Sequence, residues 1–384
     1  MVQATLASPF VQLLLLAAGS AAGRHFLLRH GESATASGAI AMAIGIFVLG
    51  ALQRLPVPVA TLTQLLTLEG LIVWAYIAAS YVRSYFRGTF HNHTDDPVGC
   101  FAVGTWVAGT AVLARLIAIV LPVWRPLVLA LAVLTLLVWL WYLVLITRRY
   151  RIILDSPSRL HTTGRVLLAT VSTQSLVLLI EQLFPGQVPV VLAAGLIWLG
   201  YLFYGLGFVL ILQRYLRQAH WRLADDWDNT NCILHGAMSI TVLAALESRA
   251  LPDSLILATW LWVLAMFVVV EGIEIARLVA RVRAYGWRRA VATYQVSQWA
   301  RNFTFGMFYA ATVRLSVLLD GTAGLGIAGL TTLQAGIIAW GQYVVLILLL
   351  IEISLFMLHN AGPRLRKLFV AVPGMTGAVE AREC

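Results

Sequence analysis

The sequence predicts an all-α integral membrane protein: ten transmembrane helices as five helical hairpins, odd helices forming an inner pore ring and even helices an outer ring. Three observations carry this. Of 384 residues, 60% are hydrophobic and only 11% charged, where soluble domains average about 25% charged. Ten apolar runs reach the ~20 residues that a bilayer core requires. The odd-numbered runs begin near 33, 98, 164, 231 and 297, and a fixed period of that size marks an internal repeat.

Residues 1–32 form an N-terminal cytoplasmic or interfacial segment. Its apolar run, 10–23, is too short to span and has no basic stretch before it, so it reads as an interfacial or packed helix rather than a cleaved signal. The transport domain covers 33–358, with spans at 33–52, 61–82, 98–120, 126–147, 164–183, 189–212, 231–248, 254–277, 297–318 and 331–358. Pro56, Pro58, Pro97, Pro122, Pro126, Pro157, Pro185, Pro189 and Pro252 punctuate the gaps, where proline cannot interrupt a helix. Residues 359–384 form a C-terminal tail.

Residue size alternates with the repeat. The first span holds Ser-Ala-Thr-Ala-Ser-Gly-Ala-Ile-Ala-Met-Ala-Ile-Gly (33–45), the fifth Ala-Thr-Val-Ser-Thr-Gln-Ser (169–175) and the seventh His-Gly-Ala-Met-Ser-Ile-Thr (235–241). The fourth reads Leu-Leu-Val-Trp-Leu-Trp-Tyr-Leu-Val-Leu-Ile (136–146). Small and hydroxylated residues allow close helix approach or line a path, and bulky apolar ones suit lipid. This places the odd helices inside and the even helices outside.

The net charge of +10 is almost all arginine, Lys367 being the one lysine. It falls in the N-terminal segment, in 83–97, 148–165, 213–228 and 277–296, and in the tail. Charge in alternate short loops is a topology signal, and it predicts both termini on the cytoplasmic side of the plasma or inner membrane. A nucleic-acid partner needs one basic face on a soluble domain, and the sequence holds none. Cys100, Cys232 and Cys384 form no CxxC pair.

No catalytic residue, metal site or cofactor is expected. The sequence lacks an His-Glu-x-x-His helix, a Gly-x-Ser-x-Gly elbow and a Walker loop. The competing reading is an integral-membrane metal-dependent enzyme using the His91/His93/His235 region. Arg115 and Arg314 each fall about 17 residues into an inner helix, and Glu181, Glu247 and Arg249 occupy similar repeat positions. They predict a mixed-charge collar at the outer mouth, where Arg either concentrates anions or pairs with Glu. Glu271, Glu274 and Arg277 stand at helical spacing and read as an interfacial ion pair. The expected pore lining is small or neutral: Gly104, Thr105, Gly109, Thr110, Thr173, Gln174, Ser175, His235, Gly236, Ser239, Thr304, Gly306 and Thr312. Donors without a deep acidic ring favour an anion.

Taken in order, Asp-Pro-Val-Gly-Cys-Phe-Ala-Val-Gly-Thr-Trp-Val-Ala-Gly-Thr (96–110), 169–175, Asp-Trp-Asp-Asn-Thr-Asn-Cys-Ile-Leu-His-Gly-Ala-Met-Ser-Ile-Thr (226–241) and Trp-Ala-Arg-Asn-Phe-Thr-Phe-Gly-Met-Phe-Tyr-Ala-Ala-Thr (299–312) resemble the tellurite-resistance/dicarboxylate transporter family. That family includes tellurite-resistance permeases, malate and sulfite carriers, and slow anion channels. The resemblance spans about 33–358. It implies a central pore in a homotrimer, transport of a C4-dicarboxylate such as malate or of an inorganic anion, and a pore gate at Phe305. Phe303 and Phe308 are the competing rings. Gly306 stands where many members have proline, and His235 where an apolar residue is usual.

Overall fold

The computed structural model describes residues 9–27, 31–155, 161–218, 220–321 and 328–361. Residues 1–8 and most of the expected tail, 362–384, lie outside the described residues. The helices are α1 (Pro9–Leu27), α2 (Gly38–Leu49), α3 (Val59–Phe86), α4 (Gly104–Val120), α5 (Arg125–Asp155), α6 (Leu168–Leu183), α7 (Val190–Arg217), α8 (Leu223–Asp226), α9 (Ile233–Ser248), α10 (Asp253–Val291), α11 (Gln298–Gly321) and α12 (Ala328–Asn360). No strand occurs among the described residues.

Repetition is visible in the backbone. Short 3-10 turns at Thr35–Ser37, Gly99–Val103, Gly164–Leu167 and Asn229–Cys232 run directly into α2, α4, α6 and α9. Two of these turns are capped by the residue before them, and the third is preceded by a similar bond one step earlier. Asp96 accepts from the Val98 N–H (3.0 Å), Thr163 from Arg165 (3.4 Å) and Asp228 from Thr230 (2.8 Å). The Thr163 and Asp228 oxygens satisfy donors that the first turn leaves free.

Nine stretches among the described residues are long and apolar enough to cross a membrane. α11, Gln298–Gly321, covers the expected ninth span, 297–318. α1 is a packed helix lying on α3. There the Gln64 amide donates to Gln12 (2.8 Å) and the Ser20 hydroxyl to Glu69 (3.0 Å).

Burial separates the helices into two sets. In the spans containing α2, α4, α6 and α9, 67–89% of the residues are buried, against 22–44% in those of α3, α5, α7, α10 and α12. α2 packs on α4, α4 on α6, α6 on α9, α9 on α11, and α11 on α2. Glycine permits these approaches. A Cβ on Gly38 would fall on the Thr105 carbonyl, one on Gly109 would lie 2.8 Å from the Gly38 carbonyl oxygen, and one on Gly236 would meet Thr304. Gly38→Val is therefore expected to destabilise by about 1–3 kcal/mol through overpacking. Gly195→Ala, with nothing within 4 Å of its Cβ, should be neutral or stabilising. Thermal unfolding of both in detergent checks the contrast.

Candidate functional site

Two cavities lie at opposite ends of α4, α6 and α9. The larger, about 690 Å³, is at their C-terminal ends and is lined by Arg115, Glu181, Glu247, Arg249, Asp253 and Arg314. The charged residues expected at an outer mouth are thus brought together. Three arginines face three carboxylates, so the collar is balanced rather than basic. Arg115 is committed: one Nη donates to both Glu247 oxygens at 2.6 Å. Arg314 is exposed. Arg249 caps α9 with φ 51°, a left-handed position that usually takes glycine.

Next to this cavity is a void of about 10 Å³ walled by Ile46 and Leu49 of α2, Ala111, Val112 and Arg115 of α4, Ser175 and Leu178 of α6, and Met307 of α11. Arg115 belongs to both spaces. A void of that size holds about one water at most. At the other end, Asp96, Pro97, Val98, His161, Thr163, Arg165 and Asp228 line a cavity of about 280 Å³.

Most of the expected lining residues are spent on helix packing. Thr110, Thr173 and Thr312 accept from the indole N–H groups of Trp74 (2.9 Å), Trp139 (3.2 Å) and Trp260 (3.0 Å) on α3, α5 and α10. Those hydroxyls latch the less buried helices to the more buried ones. Thr105, Ser239 and Thr304 donate to carbonyls of their own helical segments. Gln174 donates to the Ile197 carbonyl at 3.2 Å, close against Gly200. Gly104 meets Leu168 and the Tyr142 hydroxyl, and Gly306 meets Ile46. Ser175 is on the wall of the void, its hydroxyl donating to Val171 (2.8 Å).

The Phe305 ring is placed against α9 and α10. Its centroid is 5.1 Å from that of Phe267 and 6.0 Å from that of His235. Phe308 stacks on the same Phe267 at 4.5 Å, and Thr312 bonds Trp260. One face of α11 is therefore turned to α10. Met307 is two residues, about 200° of helix, from Phe305 and occupies the opposite face, against the void.

Around Phe305 lies a charge cluster that sequence spacing did not disclose. Arg301 pairs with Glu271 and, at 3.1 Å, with Glu274. Glu274 accepts from the Trp227 indole (2.9 Å) and lies 3.4 Å from Arg277, which donates to Asn229. His235 is fully buried, its Nε2 3.4 Å from Glu271. The Arg301 guanidinium lies 5.8 Å from the Phe305 centroid. Two arginines and two glutamates leave the cluster neutral when His235 is neutral. The expected interfacial pair is half of a network joining α9, α10 and α11. The available signal was Arg301, the first charge of the next helix, opposite two glutamates one turn apart.

His91 and His93 sit elsewhere, on the turn Phe90–His93. His91 bonds the Gly88 carbonyl (2.9 Å), and His93 Nδ1 bonds the Thr35 hydroxyl (2.9 Å). Burial pushes the His93 imidazole down from its ordinary pKa, with Glu32 opposing. Among the described residues, no group of three or more His, Cys, Asp or Glu is placed to hold a metal ion.

Comparison with models of known protein families finds no match, and comparison with curated proteins finds none. Fold and site together define a class, a multi-pass helical membrane protein.

Proposed function

We propose that the protein is a permease or channel for small anions, a C4-dicarboxylate such as malate or an inorganic anion. The five spans built on α2, α4, α6, α9 and α11 form the inner ring of five hairpins, and the path runs along their common axis. The observation that carries this is the closed order in which these helices contact one another, with a void walled by α2, α4, α6 and α11 that shares Arg115 with the cavity at one end. A homotrimer in the plasma or inner membrane with cytoplasmic termini follows from the resemblance and the arginine distribution.

The barrier is the apolar layer at the void. Met307 lines it and Arg314, two turns on along the same face, lines the mouth. Phe303, one turn before Met307, completes that face by the i, i+4 spacing and is 1% exposed. Phe303 is thus the ring best placed to obstruct the axis, while Phe305 fixes the α10 contact. An apolar constriction excludes ions because they cannot shed water there without replacement ligands.

Flux of chloride, nitrate and malate from proteoliposomes under an imposed charge gradient tests this reading. Saturable or conductive anion movement, absent from protein-free vesicles, is expected, and potassium flux of equal size would contradict it. Arg314→Glu is expected to lower anion flux severalfold at low salt and less at high salt, where the Debye length falls from ~10 Å toward ~3 Å.

A further inference from the structure

α10 is longer than a bilayer crossing demands. Up to the break at Gly286 it extends about 50 Å at 1.5 Å per residue, against a hydrocarbon core of about 30 Å. From 275 to 297 the chain contains Arg277, Arg281, Arg283, Arg288 and Arg289 and not one Asp or Glu. Arg277 belongs to the buried network. Arg281 donates to the Ala224 carbonyl (3.3 Å) and Tyr285 to Asp225 (2.5 Å), tying the extension to α8.

Beyond those ties the segment faces outward. Residues 283–289 are all exposed, and the side chains of Arg283, Arg288 and Arg289 have no acidic partner among the described residues. At Gly286 the helix breaks, with φ 77° and ψ 161°, a conformation open to glycine. The break turns 287–291 away from the α10 axis. Nothing lies within 4 Å of a Cβ built at Gly286, so packing does not impose the turn. Tyr285 and Trp287 flank it, Trp287 being 65% exposed. An amphipathic aromatic beside unpaired arginines matches the chemistry of a headgroup layer, which places apolar rings and phosphates at one depth.

We propose that residues 283–291 dock onto the headgroups of anionic phospholipids in the leaflet that borders this end of the protein. Arg283, Arg288 and Arg289 pair with phosphates, and Trp287 seats in the interface. The full-length protein is placed in nanodiscs of phosphatidylcholine alone or mixed with phosphatidylglycerol, and amide exchange across 284–292 is followed. Exchange is expected to slow severalfold in the anionic discs, an effect lost in Arg288→Gln/Arg289→Gln and in high salt. Quenching of Trp287 by bromolipids, read as the difference from Trp287→Phe, should be stronger in those discs. Equal exchange in both discs, or protection that survives the double substitution, overturns the proposal. So does equal protection in phosphatidylcholine discs by inorganic phosphate, since the ligand is then soluble.

Discussion

Arg301→Met is expected to unfold at a markedly lower temperature than the unsubstituted protein, with a loss of about 3–5 kcal/mol. The side chain joins two carboxylates on a neighbouring helix, Glu271 and Glu274, in a cluster where Glu274 is 7% exposed and His235 fully buried. Removing the cation leaves Arg277 alone against two glutamates. Water does not compensate at those burials, so the desolvation already incurred by the carboxylates has no matching attraction. Adding Glu271→Gln to Arg301→Met removes the orphaned charge and should recover part of the loss. The double substitution is thus less destabilising than the sum of the single ones, by a coupling of about 1–3 kcal/mol. Thermal melts of the four proteins in one detergent supply the cycle. Additive losses would show that Arg301 and Glu271 do not act as a unit.

The second large effect concerns the closed layer at the void. Met307→Ala removes bulk from the wall of the void, beside Ile46, Val112 and Leu178, where the space holds about one water, and Phe303→Ala removes it one turn earlier on the same face of α11. Each is expected to raise anion flux by roughly tenfold or more, equivalent to about 1.4 kcal/mol from the barrier. Phe305→Ala acts on the other face. It opens space beside Phe267 and His235, so its main effect should be on stability; because Phe305 is half-buried, the loss should fall below the about 3–5 kcal/mol of a fully buried Phe→Ala change.

Much of this fold was legible in the sequence because the constraints were simple. Apolar length fixed the spans, and most bounds fell where runs of bulky residues met proline or arginine. Small residues in phase at 33–45, 98–111, 169–175 and 235–241 identified the buried set, because only glycine lets helices come as close as Gly38 and Thr105 do. That Arg115, Glu181, Glu247, Arg249 and Arg314 line one cavity was legible from repeat position, since equal distance along parallel helices means equal depth.

What resisted reading was the direction in which each side chain points. Thr110, Thr173 and Thr312 look like donors for a path, but a threonine on an inner helix faces either the axis or the neighbouring layer, and tryptophans on α3, α5 and α10 take these hydroxyls. Phe303 and Phe305 differ by two residues and so by opposite faces; a motif aligns both equally well. Glu271 and Glu274 read as partners of Arg277 because that pair is local, whereas Arg301 reaches them across a helix boundary.

The most direct test of the account is anion flux through proteoliposomes holding the unsubstituted protein, Phe303→Ala, Met307→Ala or Phe305→Ala, normalised to folded protein. The account predicts a large gain in the first two variants and little in the third. A gain confined to Phe305→Ala would move the barrier to the α10 face of α11. No anion flux from any of the four would contradict an anion path along the inner helices.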